Sequence, residues 1–171
     1  QRPDTIAALG NEFIETPGLD RLVAEGTSFL NNHCMGSTSG AVCLPSRAMV
    51  MSGRSLHRVK TDLAGVMTLG EALGKSGYRT FGTGKWQNGS GSFARSFDEG
   101  KCVFFGGMSD HNGVPLQDLK DDGSGFTEKR TGQGNSTDIF ADAAVGFLEG
   151  YGASDRDQPF FAYVAFTAPH D

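Results

Sequence analysis

Three residues in this 171-residue chain pair reactive chemistry with a position where it could be used. Cys43 opens the run Cys43-Leu44-Pro45-Ser46-Arg47, and apolar Ala48-Met49-Val50-Met51 follows up to Gly53. That pattern predicts a short buried helix beginning near Pro45, since proline is tolerated in a first helical turn. A cysteine beside a helix N-terminus gains field stabilisation for a developing anion. Lys85, in Gly84-Lys85-Trp86, and His170, in Ala168-Pro169-His170, each lie just past a predicted strand. A histidine with an ordinary pKa of about 6.5 is suited to proton transfer near neutrality. The plainer alternatives are a buried cysteine, a solvated strand-end lysine and a loop histidine. A nucleotide P-loop is set aside, because Arg79 stands where that motif needs its first Gly and Trp86 follows the lysine.

The elements that must position these residues can be read from pattern. Thr16-Pro17 through Leu22-Val23, closed by Gly26, reads as a helix, and Thr27 to Asn31 as a strand or extended segment. A Gly/Ser-rich loop from Gly36 to Gly40 leads to Cys43. Thr68-Leu69-Gly70-Glu71 is a capping box, opening a helix to about Lys75 that ends at Gly77. Tyr78 to Phe81 reads as a strand delivering Gly82-Thr83-Gly84-Lys85-Trp86 at its carboxyl end. From Asn88 to about Gly134 the chain is rich in Gly, Asp and Ser, which predicts a long excursion of loops and short strands over the active face. Asn135 to Leu148 has helical spacing, and Pro159 to Phe166 reads as a strand buried inside a parallel sheet. Alternating helices and strands imply an α/β sandwich around a mainly parallel sheet, with ligands beyond the carboxyl ends of the strands. Lys85 and His170 can therefore reach one pocket.

Composition limits the alternatives. A formal net charge of -5 argues against a general nucleic-acid or anionic-membrane binder. No apolar run is long enough for a membrane helix. Cys34, Cys43 and Cys102 are an odd set without the paired spacing of a zinc site, so Cys34 and Cys102 read as buried or free thiols. His33, His57 and His111 carry no comparable pattern; His57 and His111 read as surface residues or supports behind a site. The opening Gln1-Arg2-Pro3-Asp4 and the stop at Asp171 read as truncations at both ends of a single domain spanning 1–171. Asn88-Gly89-Ser90 and Asn135-Ser136-Thr137 match the glycosylation pattern.

Cys43-Leu44-Pro45-Ser46-Arg47 followed by Ser52-Gly53-Arg54 resembles the signature of the type I sulfatases, where the second triplet is usually Thr-Gly-Arg. The resemblance continues through Thr16-Pro17-Gly18-Leu19-Asp20-Arg21-Leu22, Thr68 to Thr80, Gly84-Lys85-Trp86 and Pro159 to His170. It implies an alkaline-phosphatase-like α/β sandwich, of which this would be an N-terminal portion. It further implies that a separate formylglycine-generating enzyme oxidises Cys43 to formylglycine, reading Pro45 and Arg47. One hydroxyl of the hydrated aldehyde would attack the sulfur of a sulfate ester, and the other would let the sulfated intermediate collapse. By the same resemblance Arg47 holds the formylglycine, Lys85 bridges sulfate and nucleophile, and His170 contacts sulfate and protonates the leaving alcohol.

Two departures follow from the comparison with that family. Gln87 stands where a histidine is usual; glutamine can hydrogen-bond but cannot titrate. The family's single Ca²⁺ would have only the modified Cys43 as a ligand here, the Asp pair and the Asp-Asn pair falling outside this sequence, so the fragment alone is expected to be inactive. Family habit implies a periplasmic or secreted protein. Two other functions stay open: a phosphodiester or phosphonate monoester hydrolase of the same superfamily, and a non-catalytic relative that binds sulfated glycans.

Overall fold

A computed structural model describes residues 3–33, 35, 42–154 and 157–170. The chain divides into two compact units, Gln1–Met35 and Gly36–Asp171. In the first, 3-10 turns at Pro3–Thr5 and Ala7–Leu9 precede helix α1, Pro17–Glu25. Thr16 Oγ1 accepts from the Ala7 amide at 2.9 Å and donates to Asp20 Oδ1 at 2.8 Å, which ties the turn to the first turn of α1. No strand forms over 27–31; Phe29 and Leu30 are 79% and 67% exposed, so no neighbouring strand draws this segment into a ladder. The loop predicted from Gly36 to Gly40 and Cys34 lie outside the described residues.

The second unit contains α2 (Cys43–Ser52), α3 (Leu69–Lys75), β1 (Arg79–Lys85), α4 (Ser90–Ser96), β2 (Glu99–Phe104), the short strands β3 (Pro115–Leu116) and β4 (Arg130–Thr131), α5 (Ser136–Ser154) and β5 (Phe160–Ala165). The capping box forms as expected: Thr68 Oγ1 accepts from the Glu71 amide, and Glu71 Oε2 accepts from the Thr68 amide at 2.8 Å. The sheet is parallel, in the order β2-β1-β5, as the alternating pattern predicted. Phe81 stacks on Phe147 of α5 at 4.5 Å, whereas a Cβ on neighbouring Gly82 would meet Phe93 of α4. Successive strand residues face opposite sides, so α5 covers one face of the sheet and α4 the other. The larger core gathers Ala48, Met51, Leu63, Trp86, Phe93, Phe97, Val103 and Leu119.

Three expectations need correction. Gly82 to Lys85 belong to β1 itself rather than following it. The strand takes glycines there because other atoms fill their space: the Phe93 and Phe97 rings at Gly82 and the Ala165 main chain at Gly84. The stretch from Asn88 to Gly134 is not all surface excursion: it supplies α4 and β2, with Phe93 and Val103 fully buried. Their apolar runs are too short to stand out against the surrounding Gly, Asp and Ser. Finally, β5 pairs only with β1 among the described residues and is half-buried rather than interior.

Candidate active site

Cys43 is the first residue of α2, as a half-buried free thiol. Pro45 occupies the first turn, where it lacks nothing that the helix needs, and the buried face is Pro45, Ala48 and Met51. At the far end Gly53, with φ +64°, closes the helix, its amide donating to the Met49 carbonyl at 2.9 Å. Ser52 donates its hydroxyl to the Ala48 carbonyl at 2.6 Å and accepts from the Arg54 amide at 3.2 Å. The hydroxyl in Ser52-Gly53-Arg54 thus shapes the helix end.

Arg47 lies one turn along from Cys43. Its Nη1 donates to the Cys43 carbonyl at 3.3 Å and to Gln87 Oε1 at 3.2 Å, and its Nε donates to the Lys85 carbonyl at 3.2 Å. Tyr163 of β5 adds its hydroxyl as a further partner. A guanidinium only donates, so the Gln87 atom facing it must be the carbonyl oxygen. The Gln87 amide nitrogen then points away, towards Gly107, where a Cβ would come within 2.9 Å of it. One cation therefore joins the start of α2, the end of β1 and the middle of β5.

Lys85 ends β1 and is 2% exposed. Burial holds its ammonium pKa below the usual lysine value; Cys43 opposes that shift and the Arg47 charge adds to it. Trp86, fully buried, packs edge-to-face against Phe93, Phe97 and Tyr163 and donates its indole N–H to the Gly89 carbonyl. That packing anchors the strand end from which Lys85 and Gln87 emerge.

Cys43, Arg47, Lys85 and Gln87 thus come together. His170 stands beyond β5, the strand beside β1; its side chain is exposed and makes no hydrogen bond to the other four. Tyr163 and Asn88 escaped the sequence reading, and His111 stands open there between a surface residue and a support behind a site. Tyr163 looked like one more apolar strand residue. Asn88, matched as a glycosylation site, is 1% exposed and spends its amide nitrogen on the Leu44 and Thr61 carbonyls, so it pins the start of α2 and is closed to glycosylation in this fold. His111 is half-buried and hydrogen-bonded to Ser136, Thr167 and the His170 carbonyl. Only its neighbourhood in space, not its glycine-rich context in sequence, gives it away. His57 is exposed, as expected of a surface residue.

The local donor set does not make a calcium site. The cations Arg47 and Lys85 stand by Cys43, and among the described residues no group of three His, Cys, Asp or Glu could hold a metal. Ca²⁺ takes six to eight oxygens.

Known proteins resemble this chain in sequence and in fold. A glucosamine-sulfate-bound structure, BT4656 in complex with its substrate D-glucosamine-2-N,6-O-disulfate, superposes with a TM-score of 0.73 at 26% identity, covering 98% of this chain and 32% of that one. The N-acetylglucosamine-6-O-sulfatase of Bacteroides thetaiotaomicron is 31% identical over 171 residues, 96% of this chain and 28% of that protein. The human N-acetylgalactosamine-6-sulfatase is 27% identical over 198 residues, 96% of this chain and 37% of that protein. The chain thus spans about a third of the relatives it matches. The sequence model of the family described as Sulfatase matches residues 1–171, and with the α/β fold and the Cys43 cluster in place, the chain belongs to the sulfatase family.

Proposed function

We propose that this chain is the N-terminal portion of the catalytic domain of a sulfuric ester hydrolase, with a 6-O-sulfated amino sugar as its substrate. The observation that carries the reading is the convergence of Cys43, Arg47, Lys85 and Gln87 at the carboxyl end of β1. The substrate class rests on the names of the relatives and on the sulfated glucosamine held by BT4656. A periplasmic or secreted location rests on family membership; no described helix is long and apolar enough to cross a membrane.

The residues divide the work as follows. Cys43 is the substrate of a formylglycine-generating enzyme, and the resulting hydrated aldehyde supplies the nucleophilic oxygen. Arg47 holds the main chain at residue 43 and the end of β1 in one geometry, which keeps nucleophile and cation in register. Lys85 offers a fixed, desolvated positive charge to the sulfuryl oxygens, stronger in that setting than in water. Gln87 orients Arg47 through its carbonyl oxygen and takes up no proton. His170 delivers the proton to the departing alcohol.

Peptide mass spectrometry across Cys43, in the full-length protein co-expressed with a formylglycine-generating enzyme, tests the reading together with sulfate release from glucosamine-6-sulfate. Conversion and release are the expected results. Conversion with phosphodiester or phosphonate cleavage in place of sulfate release would move the protein to the neighbouring activity of the superfamily. An unconverted Cys43, beside a converted control protein, would leave a binding-only relative.

A further inference from the structure

We infer that His111 is a positioning residue that fixes His170 for proton delivery to the leaving alcohol, an inference that rests on the role proposed above for His170. Three segments meet at His111. The loop after β2 supplies His111 itself, α5 supplies Ser136 at its first turn, and the chain after β5 supplies Thr167 and His170. The His111 carbonyl accepts from the Ser136 amide at 2.8 Å, and Asn112 bridges Asn135, so the main chain of the loop is tied to the start of α5. From that anchor the imidazole reaches across to the segment beyond β5.

The partners determine which nitrogen carries the proton. Nε2 faces the His170 carbonyl, which can only accept, so Nε2 must be the donor. In the neutral ring Nδ1 is then an acceptor facing two hydroxyls, Ser136 Oγ at 3.1 Å and Thr167 Oγ1 at 3.2 Å, one of which donates to it. The other hydroxyl donates to the first across 2.8 Å, with Ser136 fully buried and Thr167 8% exposed. A closed polar triangle of this kind orients a ring sharply, because any rotation strands buried polar atoms. Among the described residues, the His170 main chain has one hydrogen bond within its own turn, to the Thr167 carbonyl, and one from outside, donated by His111. With its own side chain exposed, His170 is placed by its backbone, and its backbone is placed by His111.

A positioning role predicts a dependence on the leaving group that a purely structural role would not. An acid matters most when the departing alcohol is a poor leaving group, such as a sugar hydroxyl, and least when it is 4-nitrophenolate. In the converted full-length enzyme, His111→Ala should lower kcat on glucosamine-6-sulfate by about 100-fold, the order expected for a misplaced acid, with KM little changed. On 4-nitrophenyl sulfate the loss should be within about 3-fold. His111→Gln, whose amide can still donate to the His170 carbonyl, should recover part of the difference. Adding His111→Ala to His170→Ala should cost almost nothing more on the sugar substrate. Equal losses on both substrates, or additive losses in the double variant, overturn the role of His111 while leaving the sulfatase reading intact. A converted wild type that releases no sulfate from either substrate overturns both.

Discussion

Glycines 77 and 84 share the same left-handed backbone, φ +87°, but differ in what surrounds them, and that difference can be measured. At Gly77 an added Cβ meets nothing within 4 Å, so Gly77→Ala reports the cost of the backbone conformation alone, about 1–2 kcal/mol. At Gly84 the same Cβ would sit 2.1 Å from the Ala165 carbonyl oxygen, on the paired strand β5. Relief requires β1 and β5 to part by roughly 1 Å, since such C···O contacts normally lie near 3.3–3.6 Å. The atom in the way is backbone, so no rotamer change can yield. Losing two or so ladder hydrogen bonds at about 1 kcal/mol each, on top of the backbone cost, gives a total of about 3–5 kcal/mol. That is a large part of a stability of about 5–15 kcal/mol. At about 2–4 °C per kcal/mol, the thermal midpoint of Gly84→Ala should fall roughly 10 °C, against a few degrees for Gly77→Ala. Because Gly84 precedes Lys85, sulfate release should collapse in Gly84→Ala and persist in Gly77→Ala. Midpoints for the two variants within about 2 °C of each other would refute the steric reasoning.

Arg47→Lys should lower kcat/KM by roughly 30- to 1000-fold, since one ammonium nitrogen cannot serve the Cys43 carbonyl, the Lys85 carbonyl and Gln87 Oε1 together. Formylglycine content, matched by mass spectrometry, separates this loss from poor conversion; unchanged turnover at matched content would sink the clamp. Gln87→His should retain turnover and add an ionisation near pH ~6.5 to the rate profile. Superimposable profiles for the two proteins would count against Gln87 being the non-titrating member of the site. Burial, with the Asp118 carboxylate, pushes the Cys102 thiol above its ordinary value of 9.0. The folded state thus keeps this proton longer than the unfolded chain does. The stabilisation is complete below about pH 9 and is lost as pH climbs through the raised pKa. Cys102→Ser should therefore flatten the alkaline decline in thermal midpoint, and parallel curves would contradict it.

Local rules made much of this protein legible. Thr68 and Glu71 form their capping box because both partners lie within one turn, and Pro45 and Gly53 bracket α2 for the same reason. The parallel sheet followed from alternation, and Cys43, Arg47, Lys85 and Gln87 were picked out in sequence before the fold drew them together. What sequence could not disclose was whatever depends on a partner far along the chain. Gly84 is required by the Ala165 carbonyl, 81 residues away, and no local pattern announces it. The core strand β2 was hidden because its burial comes from neighbours on both sides rather than from its own composition. Asn88 falls in a glycine-rich stretch that reads as surface loop, and His111 reads equally as a surface residue or a support behind a site; only tertiary structure surrounds them with the carbonyls and hydroxyls that satisfy them. Reactive residue types and local geometry are written in the order of the chain, whereas the side chains that hold them in place are set by packing between segments distant in sequence.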